Sequence, residues 1–138
     1  EKLKIKIIFK GLSFLFTLVL LTACSEPSKE DKISYRQIST EEAKSLMESE
    51  ENYIILDVRT KEEYEEKHIP GAVLVPNETI GEDEIPQLPD KDQMILVYCR
   101  SGNRSKQAAE KLVALGYTNV VEFGGINDWT GEVVIKNK

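Results

Sequence analysis

The residues best equipped for chemistry are seven in a row: Cys99, Arg100, Ser101, Gly102, Asn103, Arg104 and Ser105. They follow an apolar run, Met94-Ile95-Leu96-Val97-Tyr98, and precede a segment with helical spacing of apolar residues. A loop that joins a strand's end to a helix's start can curl until successive backbone N–H groups point at one spot. The helix's amino end adds about half a positive charge there. Gly102 and Asn103 tolerate the backbone angles such a curl demands, and Arg100 and Arg104 bring two cations. Everything around Cys99 therefore favours an anion. A free thiol near 8.5 is only about 3% ionised at neutral pH, whereas helix ends and nearby cations bring thiols into the range of roughly 3.5–7.5. The chemistry this permits is nucleophilic attack by a thiolate. The plainer alternative, a small buried side chain closing a strand, leaves the glycine and the two arginines unexplained. The single histidine, His68, stands beside Pro70-Gly71, far from Cys99 in the chain, so activation by the loop itself is the simpler account.

Such a loop needs elements to hold it. From residue 35 onward, short apolar runs alternate with helical segments. Residues 35–38 read as a weak strand. Ser39 and Glu42 have capping-box spacing and open a helix to about Glu48, with Ala43, Leu46 and Met47 inward. Tyr53-Ile54-Ile55-Leu56-Asp57-Val58 is almost continuously apolar, as expected of a strand covered on both faces. Thr60 and Glu63 repeat the capping-box spacing and begin a short helix ending near His68. Pro70-Gly71 then turns the chain into a strand over residues 72–75. Residues 77–92 are acidic, contain Pro86 and Pro89, and read as loop with one helical turn. After the Cys99 loop, residues 105–115 read as a helix with Ala108, Ala109, Leu112 and Leu115 on its apolar side. Gly116 stands where a helix end favours a positive φ. Val120, Val121 and Phe123 make a last strand, and Gly124-Gly125 leads to a helical turn at Trp129, itself assigned to the core. This alternation implies a mostly parallel α/β sheet with right-handed crossovers, and such sheets bind ligands at the carboxyl ends of their strands. Cys99 lies at such an end.

The bulk composition bounds the function. At 138 residues, 41% hydrophobic and 30% charged, the chain suits one globular domain. A formal charge of -6 argues against a nucleic-acid partner. Two cysteines, Cys24 and Cys99, with one histidine make neither a Cys–His zinc site nor a disulfide scaffold, so no metal and no cofactor are expected.

The first residues differ from the rest. Lys2, Lys4, Lys6 and Lys10 form a basic start, and residues 11–23 carry no charge. As a helix that run is about 20 Å long against a hydrocarbon core of roughly 30 Å, short for a span and suited to a signal-peptide core. Leu21-Thr22-Ala23-Cys24 resembles the bacterial lipobox, in which the chain is cut before a cysteine that receives a diacylglycerol thioether. Residues 1–23 are thus expected to be a lipoprotein signal peptide. Cys24 would be the site of lipid attachment, and the polar stretch to residue 34 a tether reaching at most ~35 Å. The globular domain, residues 35–138, is expected at the extracytoplasmic face of a bacterial membrane. Removing residues 1–23 takes away four lysines and one glutamate, so the remaining body is more acidic, is repelled by anionic lipids and would depend on that anchor.

Several separated motifs together carry a family resemblance. Leu56-Asp57-Val58-Arg59, Glu63-Tyr64, His68-Ile69-Pro70-Gly71-Ala72, residues 98–105, Gly116-Tyr117, and Gly124-Gly125-Ile126 with Trp129 resemble, in order, the rhodanese-like family. The likeness runs from about Tyr35 to Val134. It implies an α/β domain with a five-stranded, mostly parallel sheet and helices on both faces. It also implies a cysteine, here Cys99, that cycles through a persulfide. The cysteine would take sulfur from a small anionic donor such as thiosulfate, release sulfite, and pass the sulfur to cyanide or a thiol. The backbone N–H groups of residues 100–104 would hold the persulfide and the donor's oxyanion without a separate general base. Arg100 and Arg104 would steer the donor, with Ser101, Gly102, Asn103 and Ser105 completing the loop. Asp57 and Arg59 resemble the family's structural pair, with Arg59 expected to bridge Glu63 or Glu66 and brace the site from behind. His68 is expected to pack and hydrogen-bond rather than react. A monomer is expected.

Two other functions use related parts. Phosphatases and arsenate reductases carry a Cys–Arg anion loop with five intervening residues, against four between Cys99 and Arg104. The tighter loop suits a sulfur atom better than a phosphoryl group. A non-catalytic sulfur carrier or binding module is the other alternative.

Overall fold

The computed structural model describes residues 34–136. The expected signal peptide, Cys24 and the expected tether up to residue 33 lie outside the described residues.

Ten regular elements follow in chain order: β1 Arg36–Gln37, α1 Thr40–Ser49, β2 Tyr53–Asp57, α2 Lys61–Glu66, β3 Lys67–His68, β4 Val73–Leu74, β5 Met94–Cys99, α3 Asn103–Ala114, β6 Val120–Gly125 and β7 Val134–Ile135. Single 3₁₀ turns occupy Asn77–Thr79 and Ile126–Asp128. The main sheet has five strands in the order β1-β6-β5-β2-β4, and every neighbouring pair is parallel. This is the α/β architecture that the alternating pattern implies, with Gly116 at φ 91 as its helix end requires.

Both capping boxes form. Ser39 accepts from the Glu42 N–H and Glu42 returns a carboxylate to the Ser39 N–H, and Thr60 and Glu63 do the same. Each pair satisfies two backbone donors that a helix start otherwise leaves open.

Alternation along the strands divides the core into two layers. Leu56, Ile95 and Val97 face α3, where Ala108, Ala109 and Leu112 meet them. Ile55, Leu96, Tyr98, Val121 and Phe123 face the opposite side, covered by Ala43 with Leu46 and Met47 of α1. Helices on both faces explain why β5 reads as an unbroken apolar run, since neither face of a central parallel strand meets water. Each large side chain buried this way contributes about 1.5–3 kcal/mol. Trp129 is half-buried and packs against the α1-side layer beside Phe123, with ring centroids 5.9 Å apart.

One feature departs from the expectations. A two-stranded antiparallel ribbon pairs β3 with β7, matching Lys67 to Ile135 and His68 to Val134. His68 therefore belongs to a strand instead of the helix end expected there. Its Nδ1 sits 2.8 Å from the Tyr64 carbonyl, and its ring stacks on Tyr64 at 3.9 Å between centroids.

Candidate active site

β5 carries Cys99 to the carboxyl end of the sheet, on the same face as Ile95 and Val97 and under the start of α3. The loop then turns at once into that helix. Gly102 serves as the residue before the first turn, at φ 107. An L side chain rarely adopts this angle, so glycine is the residue type the tight reversal needs. Its N–H donates to Cys99 Sγ at 3.0 Å. Ser105, buried in the first turn of α3, brings its Oγ to 3.4 Å from the same sulfur. A second glycine makes room for the loop from below. Gly125 of β6 pairs with Cys99, and a Cβ there would collide with the Arg100 carbonyl.

Two opposing effects set the acidity of the thiol. Burial, which leaves Cys99 only 1% exposed, pushes it up. The Ser105 hydroxyl and the backbone N–H groups of Ser105, Gly102 and Ser101 pull it down, and the balance lies below the ordinary thiol value. The amides acting on the sulfur are thus those of residues 101, 102 and 105, a set displaced from residues 100–104. The displacement arises because α3 begins at Asn103, two residues earlier than its apolar spacing suggests. Asn103 is an exposed helical residue with negative φ, so Gly102 alone provides the reversal.

The two arginines of the loop differ. Arg100 is exposed and makes no ion pair among the described residues; its carbonyl accepts from Asn127 N–H at 3.2 Å. Arg104 grips Glu63 of α2 with both terminal nitrogens, at 2.7 and 2.9 Å. The Arg104 hydrogen bond, against partial burial and with help from the Thr60 N–H, lowers the Glu63 carboxyl to about 2. The expectation of two uncommitted cations is corrected here, because Arg104 carries its charge into a fork with Glu63 and Arg100 alone remains outward. Helical position is the reason: as the second residue of α3, Arg104 projects sideways toward the start of α2.

Glu63 is consequently not the partner of Arg59, and neither is Glu66. Arg59 folds back on Asp57, with Nε at 3.0 and 3.1 Å from the two carboxylate oxygens and Nη2 at 2.7 Å. The Arg59 backbone N–H reaches the same carboxylate at 3.0 Å, a geometry that the two-residue separation permits. Nη2 also donates to the Lys67 carbonyl at 2.6 Å, and Tyr98 adds its hydroxyl to Asp57 at 2.5 Å. All three side chains are buried, and Tyr98 and Cys99 point to opposite faces of the sheet. Asp57 and the ring's burial both hold the Tyr98 phenol far above its ordinary value, burial most of all.

The sequence motifs assign no role to two residues of this region. Tyr98, which ends the apolar run and heads the motif of residues 98–105, ties β5 to Asp57 and to the Ile69 N–H at 3.1 Å. Glu122, 3% exposed on β6, places Oε1 2.6 Å from Ser105 Oγ. A signal for Glu122 did exist: a carboxylate flanked by Val121 and Phe123 in a strand covered on both faces has no route to solvent.

Beside the loop a cleft of about 190 Å³ is lined by Arg59, Glu63, Glu66, Lys67, Arg100 and Asn127, among others. Among the described residues no three His, Cys, Asp or Glu side chains gather as a metal site. The arrangement holds a sulfur of lowered pKa among backbone amides, in a loop whose Arg100 lines the cleft.

Comparison with known proteins agrees with this geometry. Residues 39–132 match the family described as Rhodanese-like domain. YrkF of Bacillus subtilis is 40% identical over 110 residues, covering 78% of this chain and 57% of that protein. The thiosulfate sulfurtransferase PspE of Escherichia coli is 40% identical over 73 residues, covering 53% of this chain and 70% of that one. The solution structure of a rhodanese-like domain from an Anabaena protein superposes with a TM-score of 0.64 at 31% identity, covering 71% of this chain and 77% of that domain. With the sheet, the loop and the match over most of the described residues in agreement, this chain belongs to the rhodanese-like domain family.

Proposed function

We propose that this chain is a sulfurtransferase whose Cys99 takes the sulfane sulfur of a small anionic donor such as thiosulfate, holds it as a persulfide and hands it to a thiol or cyanide. The observation that carries the proposal is the sulfur itself, 3.0 Å from the Gly102 N–H at the amino end of α3. Sulfurtransferase relatives such as PspE support the same reaction class.

In the loading step the Cys99 thiolate attacks the outer sulfur of the donor. A new S–S bond forms, the bond from that sulfur to the sulfonyl group breaks, and sulfite departs with the electron pair. The amides of residues 101, 102 and 105 hold charge on the sulfur, as preorganised donors do at low cost. Arg100, exposed and unpaired by any carboxylate among the described residues, meets the incoming anion. In the unloading step a thiol or cyanide attacks the terminal sulfur and the Cys99 thiolate leaves. We further propose that Cys24, once lipidated, holds the domain at the extracytoplasmic membrane face.

Mass spectrometry of the protein after thiosulfate treatment tests the central claim. One added sulfur on Cys99, removed again by cyanide, is the expected result, and Cys99→Ser is expected to abolish it without lowering the melting temperature. No adduct from any sulfane donor overturns the reading. An adduct that forms but never turns over identifies a carrier, and ready hydrolysis of an aryl phosphate with no response to thiosulfate identifies a phosphatase.

A further inference from the structure

The hydroxyl of Ser105 has one proton and too many claimants. Its Oγ lies 2.6 Å from Glu122 Oε1, 3.0 Å from the Gly102 carbonyl, 3.3 Å from the Gly124 carbonyl and 3.4 Å from Cys99 Sγ. The shortest of these runs to a carboxylate that is 3% exposed and whose same oxygen also takes the Gly124 N–H at 2.8 Å. Sulfur, hydroxyl and carboxylate therefore form a continuous line from the end of β5 across the first turn of α3 to the inner face of β6. A fold that needed only a packed strand would place an apolar residue here, because burying a carboxylate is costly unless it has a partner.

We propose that Glu122 accepts the Cys99 proton through Ser105 when the nucleophile forms, and stores it inside the domain until the sulfur has been passed on. The inference rests on the persulfide reading given above. In the resting arrangement Cys99 S–H donates to Ser105 Oγ, and Ser105 O–H donates to the Glu122 carboxylate. On activation the Ser105 proton moves to Glu122 Oε1 and the Cys99 proton moves to Ser105 Oγ. Sulfur is left as a thiolate that now accepts from the hydroxyl, and the carboxylate becomes a neutral carboxylic acid. Charge has moved from oxygen to sulfur with no change in the total. Loading consumes that thiolate and leaves an anionic persulfide. Unloading regenerates the thiolate, and the two protons then step back.

Two features favour this arrangement over release of the proton to water. Cys99 is 1% exposed, so little water meets the sulfur in the resting arrangement. A second full negative charge beside the thiolate would also repel an anionic donor, and neutralising Glu122 removes it. The ionisable groups facing the line are few. Arg104, on the same turn as Ser105, is engaged by Glu63. The Tyr35 phenol, at the edge before β1, is raised by burial and then by Glu110 and Glu122. Neither offers the Cys99 proton a nearer acceptor. Glu122 is a positioning residue in this scheme, since it acts on the sulfur only through Ser105.

The test is the pH profile of single-turnover Cys99 persulfide formation from thiosulfate, in the full chain and in Glu122→Gln. The glutamine keeps the shape and still accepts from Ser105 and Gly124, yet it cannot take a proton. The parent is expected to load at a rate nearly independent of pH around neutrality. The variant must lose its proton to water, so its rate is expected to be on the order of a hundredfold lower near neutral pH and to climb about tenfold per pH unit. Ser105→Ala, which cuts the line in the middle, is expected to give the same slope, and combining the two changes is expected to add nothing. Ser105→Ala alone carries the test if Glu122→Gln does not fold. Equal rates in parent and variants overturn the proposal. So does a loss that is the same at every pH, which marks a merely structural residue. A parent that forms no persulfide overturns the sulfur-transfer reading instead, so the two failures are distinct.

Discussion

Tyr98 shows how much a single hydroxyl can hold together. It donates to Asp57 at 2.5 Å and accepts from the Ile69 N–H at 3.1 Å, both buried. Tyr98→Phe removes the hydroxyl and leaves the carboxylate and the amide each short of a partner, an expected cost of about 1–3 kcal/mol measured as a shift in urea midpoint. Loading of Cys99 is expected to change far less, because Tyr98 points away from it. The two loop arginines are expected to separate in the opposite sense. Arg100→Ala is expected to raise the thiosulfate concentration needed for half-maximal rate while moving stability by less than about 0.5 kcal/mol. Arg104→Ala is expected to lose about 1 kcal/mol or more, since Glu63 is left half-buried without its fork. Parallel melting curves and donor titrations check both variants. At this scale the loop thiol and the glycine reversal were legible as residue types in a row, whereas the contact of Ser105 with the sulfur emerged only from the fold. The commitment of Arg104 was not, because its partner stands 41 positions earlier and nothing in local spacing connects them. Glu122 was hidden in the same way, 17 positions from Ser105, although its place in a doubly covered strand marked it.

Helix α2 is short and buries no residue fully, yet it meets the site through Glu63, which caps its own helix and clamps the first turn of α3. The carboxyl's fall from 4.5 to about 2 gives the clamp a pH signature. A depressed acid stabilises the fold fully above its unfolded value and loses that contribution as pH falls through the folded one. The clamp's contribution is therefore present above about 4.5 and falls away as pH drops through about 2. Glu63→Gln is expected to be less stable than the parent near neutral pH and to converge on it as pH falls toward 2, a convergence that urea midpoints at the two ends would reveal. A constant difference across that range would reject the clamp. Both capping boxes and the order of strands and helices were readable, because each rests on contacts within four residues or on a simple period. The ribbon of β3 and β7 was not. Two-residue strands have no period, and only the folded chain brings Lys67 and Ile135 together.

At the scale of the molecule, the acidic body and the basic stretch Lys2 to Lys10 suit different surroundings. The full chain produced in bacteria is expected to sediment with membranes, and Cys24→Ala is expected to release it to the soluble fraction while leaving sulfur loading by Cys99 unchanged. Retention of Cys24→Ala on membranes would show that something other than a lipid on that thiol holds it. The whole-domain architecture was the most legible part of the chain, since two apolar runs long enough to be covered on both faces admit few arrangements besides a parallel sheet between helices.

The 1% exposure of Cys99 also sets a gauge for what may approach it. Cyanide is a slender rod, and thiosulfate presents its outer sulfur at a tip, so either can probe a narrow mouth point-first. A thiol borne on a peptide brings shoulders with it. On the proposed sulfur transfer, slim reagents are expected to exchange sulfur faster than broad ones of equal nucleophilicity, which would need the loop to part. Girth, more than reactivity, is then the expected basis on which acceptors are sorted.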